Sequence, residues 1–255
     1  MKTLYESLLG DIETSMAKGE AVMEDVIRGA IDEIYKYTKN TKFEFVNNPN
    51  SGKVIVNAIG DISVKPTARN ITTLEHELFE WGTVDGEFSV WKCTKLVNLK
   101  GSPTYVIGSY NVNQCSNLKT LEGAPEKSGS FYCVNTSINS LKGSPTYVMG
   151  DFICDWSSNL KTLEYAPKYI ASSFSCAHSA NLKSLVGIEG ITIGKDFDCS
   201  DCKNLVNVGG APKIIYGKCF VTASVYDKAV EILDPACVKP KSFDPADDIR
   251  VIKFK

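Results

Sequence analysis

With 255 residues, 43% of them hydrophobic, the chain is long enough to bury a sizeable core as one large domain or two small ones. A net charge of -2 and a pI near 5.8 give no electrostatic reason to expect binding along a phosphate backbone, which needs clustered Lys and Arg, so nucleic acid is not an expected partner. The opening MKTLYESLLGDIETSMAKGE lacks the apolar stretch of a secretory signal, and no apolar run approaches the roughly 20 residues that span a bilayer, so neither signal-peptide secretion nor a membrane partner is expected.

Leu4, Leu8, Leu9 and Ile12, then Val22, Val26, Ile27, Ile31 and Ile34, recur at helical spacing, with Gly19 as a break between two helices. This predicts a helical hairpin over residues 1–40, serving as a cap on an open coil or as a docking segment. Further on, GDISV at 60–64 resembles GDFIC at 150–154, and Ile71 and Leu74 mimic a leucine pair seen repeatedly downstream. The spacing predicts a degenerate first coil with an insertion around LEHELFEW.

From there the chain repeats. Phe88, Tyr110, Phe131, Phe152, Phe174, Phe197 and Phe220 follow one another at intervals of 21 to 23 residues. Apolar pairs follow the first six aromatics: Leu96 and Leu99, Leu118 and Leu121, Ile138 and Leu141, Leu160 and Leu163, Leu182 and Leu185, Leu205 and Val208. Each pair leads into a turn, with Pro103, Pro125, Pro145, Pro167 and Pro212 in one column and Glu189 as the exception. Val106, Val148, Ile170 or Ile215 comes next, with Ile193 slipped by one.

A period near 22 is too short for paired-helix repeats or propeller blades and falls in the leucine-rich-repeat and β-solenoid range. Alternating stretches such as YVMGDFIC favour a strand at the aromatic. Four large buried side chains stabilise a coil by about 6 to 12 kcal/mol, less than ordering its ~22 residues costs, so coils must stack to persist. The expectation is a mainly β protein: a leucine-rich-repeat-like β-solenoid of about seven coils over residues 41–222, with helical segment 1–40 before it. Beyond it, SVYDKAVEIL reads as a short helix and the chain finishes in IRVIKFK, together a small cap over 223–255 that would cover a free sheet edge.

Chemistry-bearing residues fall on the same grid. Cys133, Cys154, Cys176 and Cys199 share one repeat position and Cys93, Cys115 and Cys202 another, which predicts two buried ladders. Cys199 and Cys202 form a CxxC with no second CxxC or His pair beside it, so no metal or other cofactor is expected. His76 opens HELFE without the second His of HExxH, His178 is far away in sequence, and no nucleophile, base and acid can be assembled into a catalytic set. The enzymatic alternative rests on Asp151, Asp155, Asp196, Asp198 and Asp201 as paired carboxylates for polysaccharide, although Asp also serves as a turn residue.

Lys100, Glu122, Lys142 and Glu164 alternate in sign at one repeat position and predict a surface charge ladder. Trp91 and Trp156 read as shoulder or core packing. Two residues after the proline stand Tyr105, Lys127, Tyr147 and Tyr169, a predicted stripe about 15 Å long at the ~4.8 Å spacing of neighbouring strands. Exposed tyrosines offer large contact area at small entropy cost, so these four are the candidate partner-binding residues, against the simpler reading that tyrosine suits a solvated strand.

The consensus F-x-C-x-x-C-x-x-L-x-x-L-x-G-A/S-P-x-x-V-x-G, running from about residue 54 to 222, resembles the BspA-like class of leucine-rich repeats, with a shorter segment after the proline. The short coils and the opening MKTLYESLLGDIE are also similar to uncharacterised proteins of tailed phages infecting gut Bacteroidales. The resemblance implies a protein of the bacterial host cytoplasm or of a virion. Repeat surfaces vary without disturbing their core, so the expected role is recognition of a protein partner. The alternative is a carbohydrate or small-ligand binder acting through the aspartates.

Overall fold

The structure, a computed structural model, describes residues 20–212, 214–232 and 238–240. The second expected helix is present as α1 (Glu20–Ile34), and its buried stripe of Ile27, Ala30 and Ile31 joins the core. The expected first helix around Leu4 to Ile12 lies outside the described residues. After α1 the chain forms β1 (Tyr35–Tyr37) and β2 (Lys42–Asn47), which pair antiparallel with β4 (Ile62–Val64) and β3 (Val54–Ile59) respectively. This antiparallel edge was not legible in the sequence. Tyr35 anchors it, packing 5.2 Å from Trp81 and 5.7 Å from Phe88 between ring centroids.

β3 and β4 begin the solenoid, and every later turn repeats them in parallel. The second turn has β5 (Phe79–Asp85) and β6 (Phe88–Ser89). In the next two, β7 (Tyr105–Asn111) and β8 (Lys127–Tyr132) run through both columns without a break. Then come β9 (Tyr147–Val148) and β10 (Phe152–Ile153), β11 (Tyr169–Ile170) and β12 (Phe174–Ser175), β13 (Thr192–Ile193) and β14 (Phe197–Cys199), β15 (Ile214–Ile215) and β16 (Cys219–Val221). The aromatic column reads Ile62, Phe88, Tyr110, Phe131, Phe152, Phe174, Phe197, Cys219, which makes eight turns with the degenerate first one.

Two register details differ from the sequence reading. Cys219, not Phe220, faces Phe197, and Phe220 is half-buried. Placing Phe220 inward would turn both Cys219 and Val221 outward, because a one-residue slip flips every side chain of a strand. Ile193 is not slipped: it pairs in register with Ile170 and Ile215, the extra residue of that repeat being taken up in the turn before it.

The core is a set of side-chain columns along the solenoid axis. Phe88, Tyr110, Phe131 and Phe152 stack with centroid spacings of 5.8, 5.2 and 5.5 Å. Both members of every leucine pair are buried. Tyr110, the one hydroxyl in this aromatic stack, donates to Ser102 Oγ, which donates to the Leu99 carbonyl, so its polar tip is satisfied inside the core. Just before the second member of each pair, Asn98, Thr120, Ser140, Thr162, Ser184 and Asn207 each accept the backbone N–H two residues on, fixing the approach to every turn.

Each turn also needs left-handed backbone at the position of Gly101, Gly123, Gly143, Gly187 and Gly210. A Cβ on Gly123 would lie 2.3 Å from the Lys100 amide nitrogen. Tyr165 occupies that column at φ 68. A left-handed non-glycine residue costs roughly 1–2 kcal/mol, part of which glycine returns through unfolded-state entropy. Tyr165→Gly is therefore expected to raise stability by about 0.5–1 kcal/mol, read as a higher urea midpoint at unchanged m-value; a lower midpoint would show that the exposed ring makes a stabilising contact.

At the other end, a single 3₁₀ turn over Ala223–Val225 leads into α2 (Tyr226–Ile232), and β17 (Val238–Pro240) pairs with β16. The terminal IRVIKFK lies outside the described residues. Among the described residues no helix is long and apolar enough to cross a membrane.

Candidate functional site

The strands after the proline turns alternate inward and outward. Val106, Val148, Ile170 and Ile193 are fully or almost fully buried, so their predecessors must face solvent. Pairing sets Thr83, Tyr105, Lys127, Tyr147, Tyr169, Thr192 and Ile214 in one row. The four expected stripe residues are thus consecutive, and the three tyrosines are 37%, 42% and 40% exposed. Lys127 Nζ lies 5.7 Å from the Tyr105 ring centroid and 5.6 Å from that of Tyr147, between the two rings. Tyr105 Oη donates to Glu126 Oε2 at 3.2 Å.

Two further members escaped the sequence reading. Ile107 and Met149, two residues beyond Tyr105 and Tyr147 on the same face, are 61% and 64% exposed. Their signal was the period of two that assigns Tyr105 to solvent, but an isolated isoleucine or methionine is ordinarily read as core. With them the stripe becomes an aromatic and apolar face with one ammonium near its middle.

Beneath that ammonium the core is imperfect. Ser128 fills the column held by Val106 and Val148, is 2% exposed, and its Oγ has no hydrogen-bond partner. An unpaired buried hydroxyl costs about 1–3 kcal/mol, partly offset because Ala packs slightly less volume. Ser128→Ala is expected to stabilise by about 0.5–1 kcal/mol in chemical denaturation, and a destabilised variant would mean that the hydroxyl has a partner in solution.

The aspartates of the enzymatic alternative are tied to backbone. Oδ1 of Asp151 accepts the Ser173 amide, that of Asp196 the Lys218 amide, and that of Asp155 the Ala177 amide and the Ser175 hydroxyl. Asp198 Oδ1 accepts both the amide and the hydroxyl of Ser200. Three of the four thus stitch one turn to the next. Burial pushes the Asp155 carboxyl up from the usual carboxylate range. Asp201 lies 3.5 Å from His178 Nδ1, and the His178 ring stacks on Trp156 at 4.0 Å.

Trp156 is on the outside, 56% exposed, one of six left-handed corner residues with Lys92, Gln114, Asn135, His178 and Asp201. Trp91 is the shoulder residue expected, with the Arg69 guanidinium 4.8 Å and the Lys92 ammonium 4.2 Å from its ring. His76 is a local structural residue: its Nδ1 accepts the Leu78 amide, its ring stacks on Phe79, and burial lowers its pKa.

Both cysteine ladders exist. The first continues the valine column of Val90 and Val112 through Cys133, Cys154, Cys176 and Cys199 to Val221; the second runs Cys93, Cys115, Thr136, Ser157, Ser179, Cys202, all buried. No disulfide joins the eight described cysteines, and among the described residues no group of three or more His, Cys, Asp or Glu is placed to hold a metal. In the charge column Lys142 and Glu122 meet at 2.7 Å, which holds the Glu122 carboxyl below and the Lys142 ammonium above their usual ranges. No family model, no curated protein and no solved structure matches this chain.

Proposed function

We propose that this chain is a non-catalytic repeat protein that binds a protein partner through the solenoid face carrying Tyr105, Lys127, Tyr147 and Tyr169. The observation that carries the reading is the ordered row itself: three half-exposed tyrosines and a lysine at strand spacing, widened by exposed Ile107 and Met149. A row of outward side chains on a stacked sheet is already rigid, so binding costs little ordering entropy. The resemblance to tailed-phage proteins makes the proposed setting a virion or the cytoplasm of an infected bacterium. The carbohydrate and hydrolase alternative has less support, because Asp151, Asp155, Asp196 and Asp198 have backbone amides to satisfy.

Replacing Tyr105, Tyr147 and Tyr169 together by Ser is the test. Buried interface tyrosines each contribute about 2 kcal/mol, so affinity for a partner captured by the wild-type chain should fall by more than roughly tenfold even if the effects are not additive. The variant should melt like the wild type, since the three side chains lie outside the core columns. Undiminished capture by a folded variant would refute the proposal, and unfolding would show the tyrosines to be structural.

A further inference from the structure

The face has a charge and a pitch, and together they specify what fits it. Among the described residues no carboxylate comes within ion-pair distance of Lys127 Nζ, and the neighbouring Glu126 holds the Tyr105 hydroxyl. The ammonium is kept between two rings, in the middle of Tyr105, Ile107, Tyr147, Met149 and Tyr169. Covering it with an apolar surface would bury an unpaired charge, which is strongly unfavourable. Covering it with a carboxylate instead forms a charge-assisted contact in a site that the surrounding rings dry.

The pitch narrows the choice further. Successive rows repeat at about 4.8 Å, so anchors over Tyr105, Lys127, Tyr147 and Tyr169 are needed near 0, ~4.8, ~9.6 and ~14.4 Å. An α-helix laid across the strands offers residues i, i+3, i+7 and i+10 at 0, ~4.5, ~10.5 and ~15 Å, within about 1 Å of every row. An extended strand in the same direction offers i, i+2 and i+4 at 0, ~6.8 and ~13.6 Å and drifts out of step by the second anchor.

We infer that the occupant of this face is an amphipathic helix lying along the solenoid axis, with a carboxylate at one of its two inner anchor positions and apolar or aromatic residues at the other three. The inference rests on the proposed binding role of the stripe and adds the partner's shape and charge. The carboxylate sits over Lys127, at i+3 or i+7 according to the helix direction. Met149 and Ile107 extend the apolar surface around the anchors, the flexible methionine adapting to varied side chains and the isoleucine offering a fixed apolar contact, neither with a polar demand.

A library of helical peptides randomised at i, i+3, i+7 and i+10 tests this by selection on the full chain. Enrichment of Asp or Glu at one inner position, with Leu, Ile, Met or aromatics at the rest, is expected. The selected peptide should bind Lys127→Glu at least about tenfold more weakly, and exchanging its acid for Lys should restore binding to that variant. A consensus without an inner acid, or one indifferent to Lys127→Glu, overturns the inference. The two readings fail differently. Peptides that bind wild type but not the triple Tyr→Ser variant, yet show no acid-centred helical pattern, leave the face in place and remove this occupant. Peptides that bind the triple variant equally well remove the face itself.

Discussion

Phe131→Ala is expected to destabilise the protein by about 3–5 kcal/mol, the range for removing a large aromatic from a core that cannot close over the void. Phe131 is fully buried, with Tyr110 stacked 5.2 Å away on one side and Phe152 5.5 Å away on the other. Its neighbours are held by parallel strands on both flanks, through β7 and β10, so collapse into the cavity would break ladder hydrogen bonds. The position also matters. Each turn contacts only the turns beside it, so a cavity near the middle weakens the coupling between the two halves. Urea unfolding should therefore shift to a lower midpoint and broaden, as two partly independent blocks replace one cooperative unit. A loss below about 1 kcal/mol with an unchanged slope would mean that the aromatic column is not the continuous core described above.

Much of this architecture was legible because the repeat supplies the same information several times. Prolines and glycines punctuated most turns, and the inward Val106, Val148 and Ile170 forced Tyr105, Tyr147 and Tyr169 outward. Even the degenerate first turn, with Ile62 in the place of an aromatic, could be found by its leucine-like pair. What could not be read was set by register or by backbone. Phe220 looked like a member of the aromatic column, but burying Cys219 and Val221 together decided the strand. The six left-handed corner residues share a conformation and no chemistry, from Lys92 to Trp156 to Asp201, so composition gave no hint of them. Thr136, Ser157 and Ser179 complete a buried column that only its cysteines had revealed, because a small hydroxyl and a thiol fill similar space.

The buried thiols of the ladders are expected to make stability fall at alkaline pH. Burial pushes Cys93 up to about 11 and Cys115 up to about 12, and raises Cys154 and Cys199 well above the ordinary value of 9.0. Cys176 is raised too, first by its hydrogen bond with Cys202 and then by burial. Well below the ordinary thiol pKa of about 8.5–9 the thiols are protonated whether the chain is folded or not, and their full contribution is present. Above it the unfolded chain ionises while the folded one does not, so the folded state holds more protons and stability falls as pH rises toward the folded values. Each thiol that stays protonated in the folded chain while the unfolded chain ionises contributes a slope of at most about 1.4 kcal/mol per pH unit, and the contributions of several thiols act in the same direction. The expected result is a urea midpoint that is level from about pH 6 to 7.5 and falls steadily above about pH 8.5. Cys154, Cys176 and Cys199 stand where neighbouring turns carry Val90, Val112 and Val221, so replacing all three by Val keeps the column apolar. That variant should fold normally at pH 7 and lose stability above pH 9 more gently than the wild type. Identical slopes for variant and wild type would show that the ladder thiols ionise as readily folded as unfolded, and a wild type unchanged up to pH 10.5 would exclude burial of the ladders altogether.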